Sequence, residues 1–123
     1  MEVFRIPEKT TARYSVTLKD ENKTPIPKSD LTTVTLTIYD LDGFAQSIIN
    51  SRNAQSIKDV NGGTVGVTDG TVVLLLSVAD TSMIDSTLEA ERHKLLVEFT
   101  YNGGTKAGRH ECVLLIIGAA KVS

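Results

Sequence analysis

The chain has 123 residues, a formal net charge of −2 from 13 Lys and Arg against 15 Asp and Glu, 41% hydrophobic residues and 23% charged ones. That length fits one domain, and the balance excludes a disordered, collagenous or membrane-spanning chain. The two signs of charge are interspersed without a basic block, so neither nucleic acid nor membrane is an expected partner. Thr, Val and Ile contribute 15, 12 and 9 residues. Such β-branched side chains suit pleated, half-buried surfaces and predict an all-β domain.

Val3, Phe4 and Ile6 form a short apolar start stopped by Pro7, which suits an edge strand or an N-terminal arm over residues 1–10 that packs on a neighbour. Ala12, Tyr14, Val16 and Leu18 alternate with polar residues, the period of a strand with one buried face. A polar turn at residues 20–23 and the prolines at 25 and 27 lead to a second alternation. There Val34, Leu36 and Ile38 share one face, and Thr33, Thr35, Thr37 and Tyr39 the other, which is either solvated or laid against a partner. Asp40-Leu41-Asp42-Gly43 reads as a turn and residues 44–49 as a short strand closing a hairpin. Residues 50–58 read as a loop with at most one helical turn, ended by Asn61-Gly62-Gly63.

Residues 64–67 and 71–76 predict another hairpin. Asp80-Thr81-Ser82 suits the cap of a single helical turn carrying Met83 and Ile84, an ordered crossover between sheets. Residues 92–101 and 109–117 are two long strands around a Gly-rich turn, with Leu95, Val97, Phe99 and Tyr101 on one face of the first and Cys112, Leu114 and Ile116 on one face of the second. Seven to eight short strands with turn signals between them predict an immunoglobulin-like two-sheet antiparallel β-sandwich, a single domain over residues 1–123. With one Cys and no Trp, the chain lacks the Cys…Trp…Cys framework of antibody domains, so aliphatic packing must carry the core.

No catalytic, cofactor or metal constellation stands out. Cys112 and His110 share a strand face in the manner of a nucleophile and base, but an apolar strand interior predicts an inert, buried thiol. His93 and His110 fall on facing arms of the last hairpin, where two imidazoles without a third ligand make a poor metal site. Asp40-Leu41-Asp42-Gly43 has the spacing of a calcium loop, yet the twelfth position is Ser51 and a hairpin turn explains the residues better. Asn22-Lys23-Thr24 is a glycosylation sequon, but residues 1–5 show no basic region followed by an apolar one, so no secretory leader is expected. Interaction therefore falls to the surface: the Thr face and the apolar ends Val3–Ile6 and Val113–Ile117, unless those ends are ordinary core strands.

Three stretches together resemble small structural proteins of tailed bacteriophages. The first is Tyr14-Ser15-Val16-Thr17-Leu18-Lys19-Asp20-Glu21-Asn22-Lys23-Thr24-Pro25-Ile26 with the Thr-rich run from Thr33 to Asp40, similar to the immunoglobulin-like modules of phage baseplate and fibre proteins. The second is Ile48-Ile49-Asn50-Ser51-Arg52-Asn53-Ala54-Gln55 with Asn61-Gly62-Gly63-Thr64. The third joins Ser77-Val78-Ala79-Asp80-Thr81, Glu98-Phe99-Thr100-Tyr101-Asn102-Gly103-Gly104 and Gly108-Arg109-His110-Glu111. The resemblance implies a non-enzymatic virion protein made in the host cytoplasm. It would assemble in many copies with other virion proteins on the capsid or at the head–tail neck. Within the second stretch, Asn50, Arg52 and Asn53 either tie down a long loop or contact a neighbour. An adhesin-like module recognising a host cell-surface glycan or protein is the alternative. It would need stacking aromatics, and three Tyr, three Phe and no Trp are a poor supply.

Overall fold

A computed structural model describes residues 2–43, 45–85 and 87–118. The strands are β1 (Glu2–Pro7), β2 (Ala12–Thr17), β3 (Leu31–Asp40), β4 (Gln55–Ser56), β5 (Gly63–Val65), β6 (Thr71–Leu76), β7 (Ala90–Tyr101) and β8 (Lys106–Ile117). They form a five-stranded sheet of order β1-β8-β7-β3-β4 and a three-stranded sheet of order β2-β6-β5. The connectivity is immunoglobulin-like. β2-β6-β5 matches strands B-E-D, and β3-β7-β8 matches C-F-G with β4 added beside C as in variable-type domains. Neighbouring strands pair antiparallel, except that β1 runs parallel to β8, Glu2 opposite Cys112 through Pro7 opposite Ile117. The N-terminal segment is thus a built-in edge strand that covers the free ladder of β8.

The alternating residues meet between the sheets. Val34, Leu36 and Ile38 of β3, Leu95 and Val97 of β7, Cys112, Leu114 and Ile116 of β8, and Val72, Leu74 and Leu76 of β6 are buried. Twelve-residue strands β7 and β8 pair along their whole length, so the hairpin that closes the chain is also the spine of the larger sheet.

Two local expectations change. Among the described residues, 45–49 make no strand and pair with β3 at the single Tyr39–Ile48 bridge, where the Asp40 N–H donates to the Ser47 carbonyl and the Ile49 N–H to the Ile38 carbonyl, both at 2.9 Å, while Phe44 lies outside the described residues. The pairing strand comes later, as β4, after a loop in which Asn50, Ser51 and Ala54 have φ of 52°, 56° and 50°. Left-handed backbone at three positions is incompatible with a helical turn there. Residues 78–81 form consecutive turns and Ser82–Asp85, with Met83 and Ile84, no capped helical turn, and the short 3-10 turn falls instead at Lys28–Asp30, before β3.

Candidate functional site

The outward face of the five-stranded sheet follows from the strand registers. Tyr39, Lys94, Val113 and Val3 lie in one row across β3, β7, β8 and β1, and Thr37, Leu96 and Glu111 in the next. Thr35, Glu98 and Arg109 follow, then Thr33, Thr100 and Ala107. Thr33 and Thr100 share a hydrogen bond of 2.6 Å between their Oγ1 atoms, and Thr35 Oγ1 donates to the Glu98 carbonyl at 3.4 Å. Thr37 is committed to its own chain, since its Oγ1 accepts the Ala54 N–H at 2.9 Å. Lys94 and Glu111 pair diagonally at 3.3 Å. The threonines therefore line an outer face, as expected, beside the apolar side chains of Leu96, Val113 and Leu115.

The apolar N-terminal run divides between two surfaces. Val3 is 56% exposed and belongs to the outer face, whereas Ile6 is 2% exposed and Phe4 packs against the core. Ile6 is thus no contact residue. The parallel register sets Glu2, Phe4 and Ile6 on the side of Cys112, Leu114 and Ile116, and alternation leaves only Val3, Arg5 and Pro7 outside.

Of the two roles open to the 50–53 segment, tying down the loop is what Asn50 and Arg52 do. Arg52 is 6% exposed and makes a bidentate pair with Asp80, Nε to Oδ1 and Nη2 to Oδ2 both at 2.9 Å. Its Nη1 donates to Gln55 Oε1 at 2.8 Å and to the Asn61 carbonyl at 2.7 Å. Asp80, fully buried, also accepts from Asn50 Nδ2 at 2.9 Å and from the Ser77 N–H at 2.8 Å. One guanidinium so fastens the β3–β5 connection to the turn after β6. Asn53 remains exposed, with its N–H donating to the Ser51 carbonyl at 2.9 Å.

The histidines are not cross-strand neighbours. His93 faces Leu114 on β8 and Asp40 on β3, while His110 faces Val97. His110 Nε2 lies 2.5 Å from the Tyr14 hydroxyl, which donates to Glu2 Oε1 at 2.7 Å. Burial, then the Glu2 hydrogen bond, pushes the Tyr14 phenol well above its ordinary range. Burial also pushes the neighbouring Cys112 thiol up, outweighing the hydrogen bond from Tyr14. A thiol held in its neutral form is a poor nucleophile, so the His110–Cys112 pairing lacks the activation that covalent catalysis requires.

A further polar cluster lies buried at the end of β3. One carboxylate oxygen each from Asp40 and Glu91 and a ring nitrogen of His93 lie within 4.8 Å of one another. Exposures are 6%, 2% and 0%. Glu91 accepts the N–H groups of Ile84 and Asp85 at 2.8 and 3.0 Å, and its Oε1 lies 2.5 Å from His93 Nε2. His93 Nδ1 is buried without a hydrogen-bond partner. Sequence reasoning set His93 beside the wrong histidine and read Asp40 as a turn residue. The available signal was parity: Asp40 continues the inward series Val34, Leu36, Ile38, and Glu91 and His93 begin the inward series Leu95, Val97.

No protein-family model, curated protein or solved structure matches the chain.

Proposed function

We propose that the chain is a non-enzymatic structural protein of a tailed-phage particle, assembling through protein–protein contacts on the capsid or at the head–tail neck. The observation that supports this reading is the outer face of the five-stranded sheet. Its rows set Thr33, Thr35, Leu96, Val113 and Val3 side by side across four strands, interspersed with charges that pair with one another, Lys94 with Glu111 and Arg109 with Glu111. Such a face suits modest contacts repeated by symmetry, where many copies supply the affinity that one copy lacks. The phage-like stretches named above supply the biological setting.

Mass spectrometry of purified virions tests the reading, together with a Leu96→Lys/Val113→Lys variant that places two charges on the outer face. Wild-type chain should be present at a copy number set by the particle's symmetry. The variant should fold, by circular dichroism, yet be missing from particles. Absence of the wild-type chain from virions refutes the proposal, and full incorporation of the variant refutes the assignment of the face. Reproducible hits on a glycan array would replace it with the adhesin reading.

A further inference from the structure

The cluster of Asp40, Glu91 and His93 has an unusual charge balance for a protein interior. Two carboxylates are at least nine-tenths buried, and among the described residues neither pairs with a Lys or Arg. Burying an ion costs several kcal/mol unless it is paired or coordinates a metal. The only basic group present is one imidazole, which contacts Glu91 through Nε2 and leaves Nδ1 buried with no partner. Asp40 Oδ1 accepts the Asp42 N–H at 3.1 Å, but among the described residues no Lys or Arg offsets the two carboxylates, and a group that carries two positive charges and accepts electron pairs from both oxygen and nitrogen would complete the balance.

We propose that Asp40, Glu91 and His93 bind a divalent transition-metal ion of the zinc class. Two carboxylates and a neutral imidazole bring the site to zero net charge with such an ion. The mixed O, O, N donor set matches zinc better than calcium or magnesium, which want six or more oxygens. Neighbouring ligand atoms in a tetrahedral zinc site stand about 3.4 Å apart, from bond lengths of about 2.1 Å. The three atoms already lie within 4.8 Å of one another; the ion would replace the 2.5 Å Glu91–His93 contact, and the broad torsions that end Asp, Glu and His side chains allow that pair to open and the wider separations to close. The backbone already sets the ligands: Asp40 is directly opposite His93 in the β3–β7 ladder, and Glu91 lies two residues before His93 on the same face. Glu91 also holds the N–H groups of Ile84 and Asp85, so the ion would clamp β3, β7 and the loop before β7 in a domain with no disulfide.

The test uses untagged full-length chain stripped with EDTA and then titrated with zinc chloride. Calorimetry should give one ion per chain, and at zinc a hundredfold above Kd the thermal midpoint should rise by about 8 °C. Ca²⁺ and Mg²⁺ should have little effect. Asp40→Asn and His93→Gln should each lose at least tenfold in affinity, while His110→Gln should bind as wild type does. Should either inner variant fail to fold, imidazole NMR of the wild-type chain decides: zinc must shift the His93 ring signals and leave those of His110 in place. No binding, binding of unchanged strength in a folded Asp40→Asn variant, or a shift at His110 instead of His93 overturns the proposal.

Discussion

Replacing Asp80 by asparagine keeps the shape of the side chain and removes its charge, which leaves the Arg52 guanidinium buried without a counter-ion. Both partners are out of water, with side-chain exposures of 7% for Arg52 and 0% for Asp80. Removing one member of such a pair typically costs 3–5 kcal/mol, because the survivor stays desolvated. Arg52 keeps its bonds to Gln55 and to the Asn61 carbonyl, so the low end applies, about 3 kcal/mol. In urea, with a slope of about 2 kcal/mol per molar, the midpoint should fall by about 1.5 M. Arg52→Met should cost a similar amount, and the double variant should regain part of it, giving a coupling of about 2 kcal/mol. The pH dependence carries a sign as well. Burial raises the Asp80 carboxyl, but hydrogen bonds from Arg52, Asn50 and the Ser77 N–H outweigh it and hold the folded value below the ordinary carboxylate range. That stabilisation is present above the unfolded value of about 3.9 and is lost as pH falls through the lower folded value, so the gap between wild type and Asp80→Asn should narrow below about pH 4. An Asp80→Asn protein within about 0.5 kcal/mol of wild type at pH 7, or a gap that stays constant on acidification, would rule out a stabilising buried Arg52–Asp80 ion pair.

Three further predictions concern single positions. A Cβ at Gly63 would run into the carbonyl oxygen of Ile57 and stand 2.7 Å from its Cβ, so Gly63→Ala should cost about 3 kcal/mol in chemical unfolding. Gly103→Ala meets no atom within 4 Å but must hold φ at +68°, and should cost only about 1 kcal/mol. Cys112 is 0% exposed and its thiol is raised chiefly by burial. In native buffer at pH 8 a colorimetric disulfide reagent should therefore modify it only at the rate of unfolding, and a fast phase independent of stability would contradict its burial.

Most of the fold was legible because strand alternation is a local signal. The inward parity of Val34, Leu36 and Ile38, of Leu95, Val97 and Phe99, and of Cys112, Leu114 and Ile116 is written in residues two apart, and the sheets bury those faces. The Thr face was legible for the same reason. Local reasoning failed where the decision was made by distant partners. Ile6 looks like an exposed arm residue until β8 supplies a parallel edge for it. The 45–49 stretch has the composition of a strand, yet the β3 edge is taken by Gln55–Ser56 after a loop pinned by Arg52.

Strand periodicity was enough to read a β-rich chain whose aliphatic residues fall on inner faces and whose threonines fall on an outer one. Those properties depend on the period-two geometry of a strand and need no knowledge of its neighbours. Which strands are adjacent, and with that which polar residues meet, is set by contacts distant along the chain. Arg52 and Asp80 are 28 positions apart, and Asp40 stands opposite His93 across the β3–β7 ladder. Burial then turns such encounters into bonds or liabilities: a charge that water would screen at the surface must find a partner in the interior. Arg52 and Asp80 find each other, while Asp40, Glu91 and His93 form a cage with the charge and donors to hold an ion.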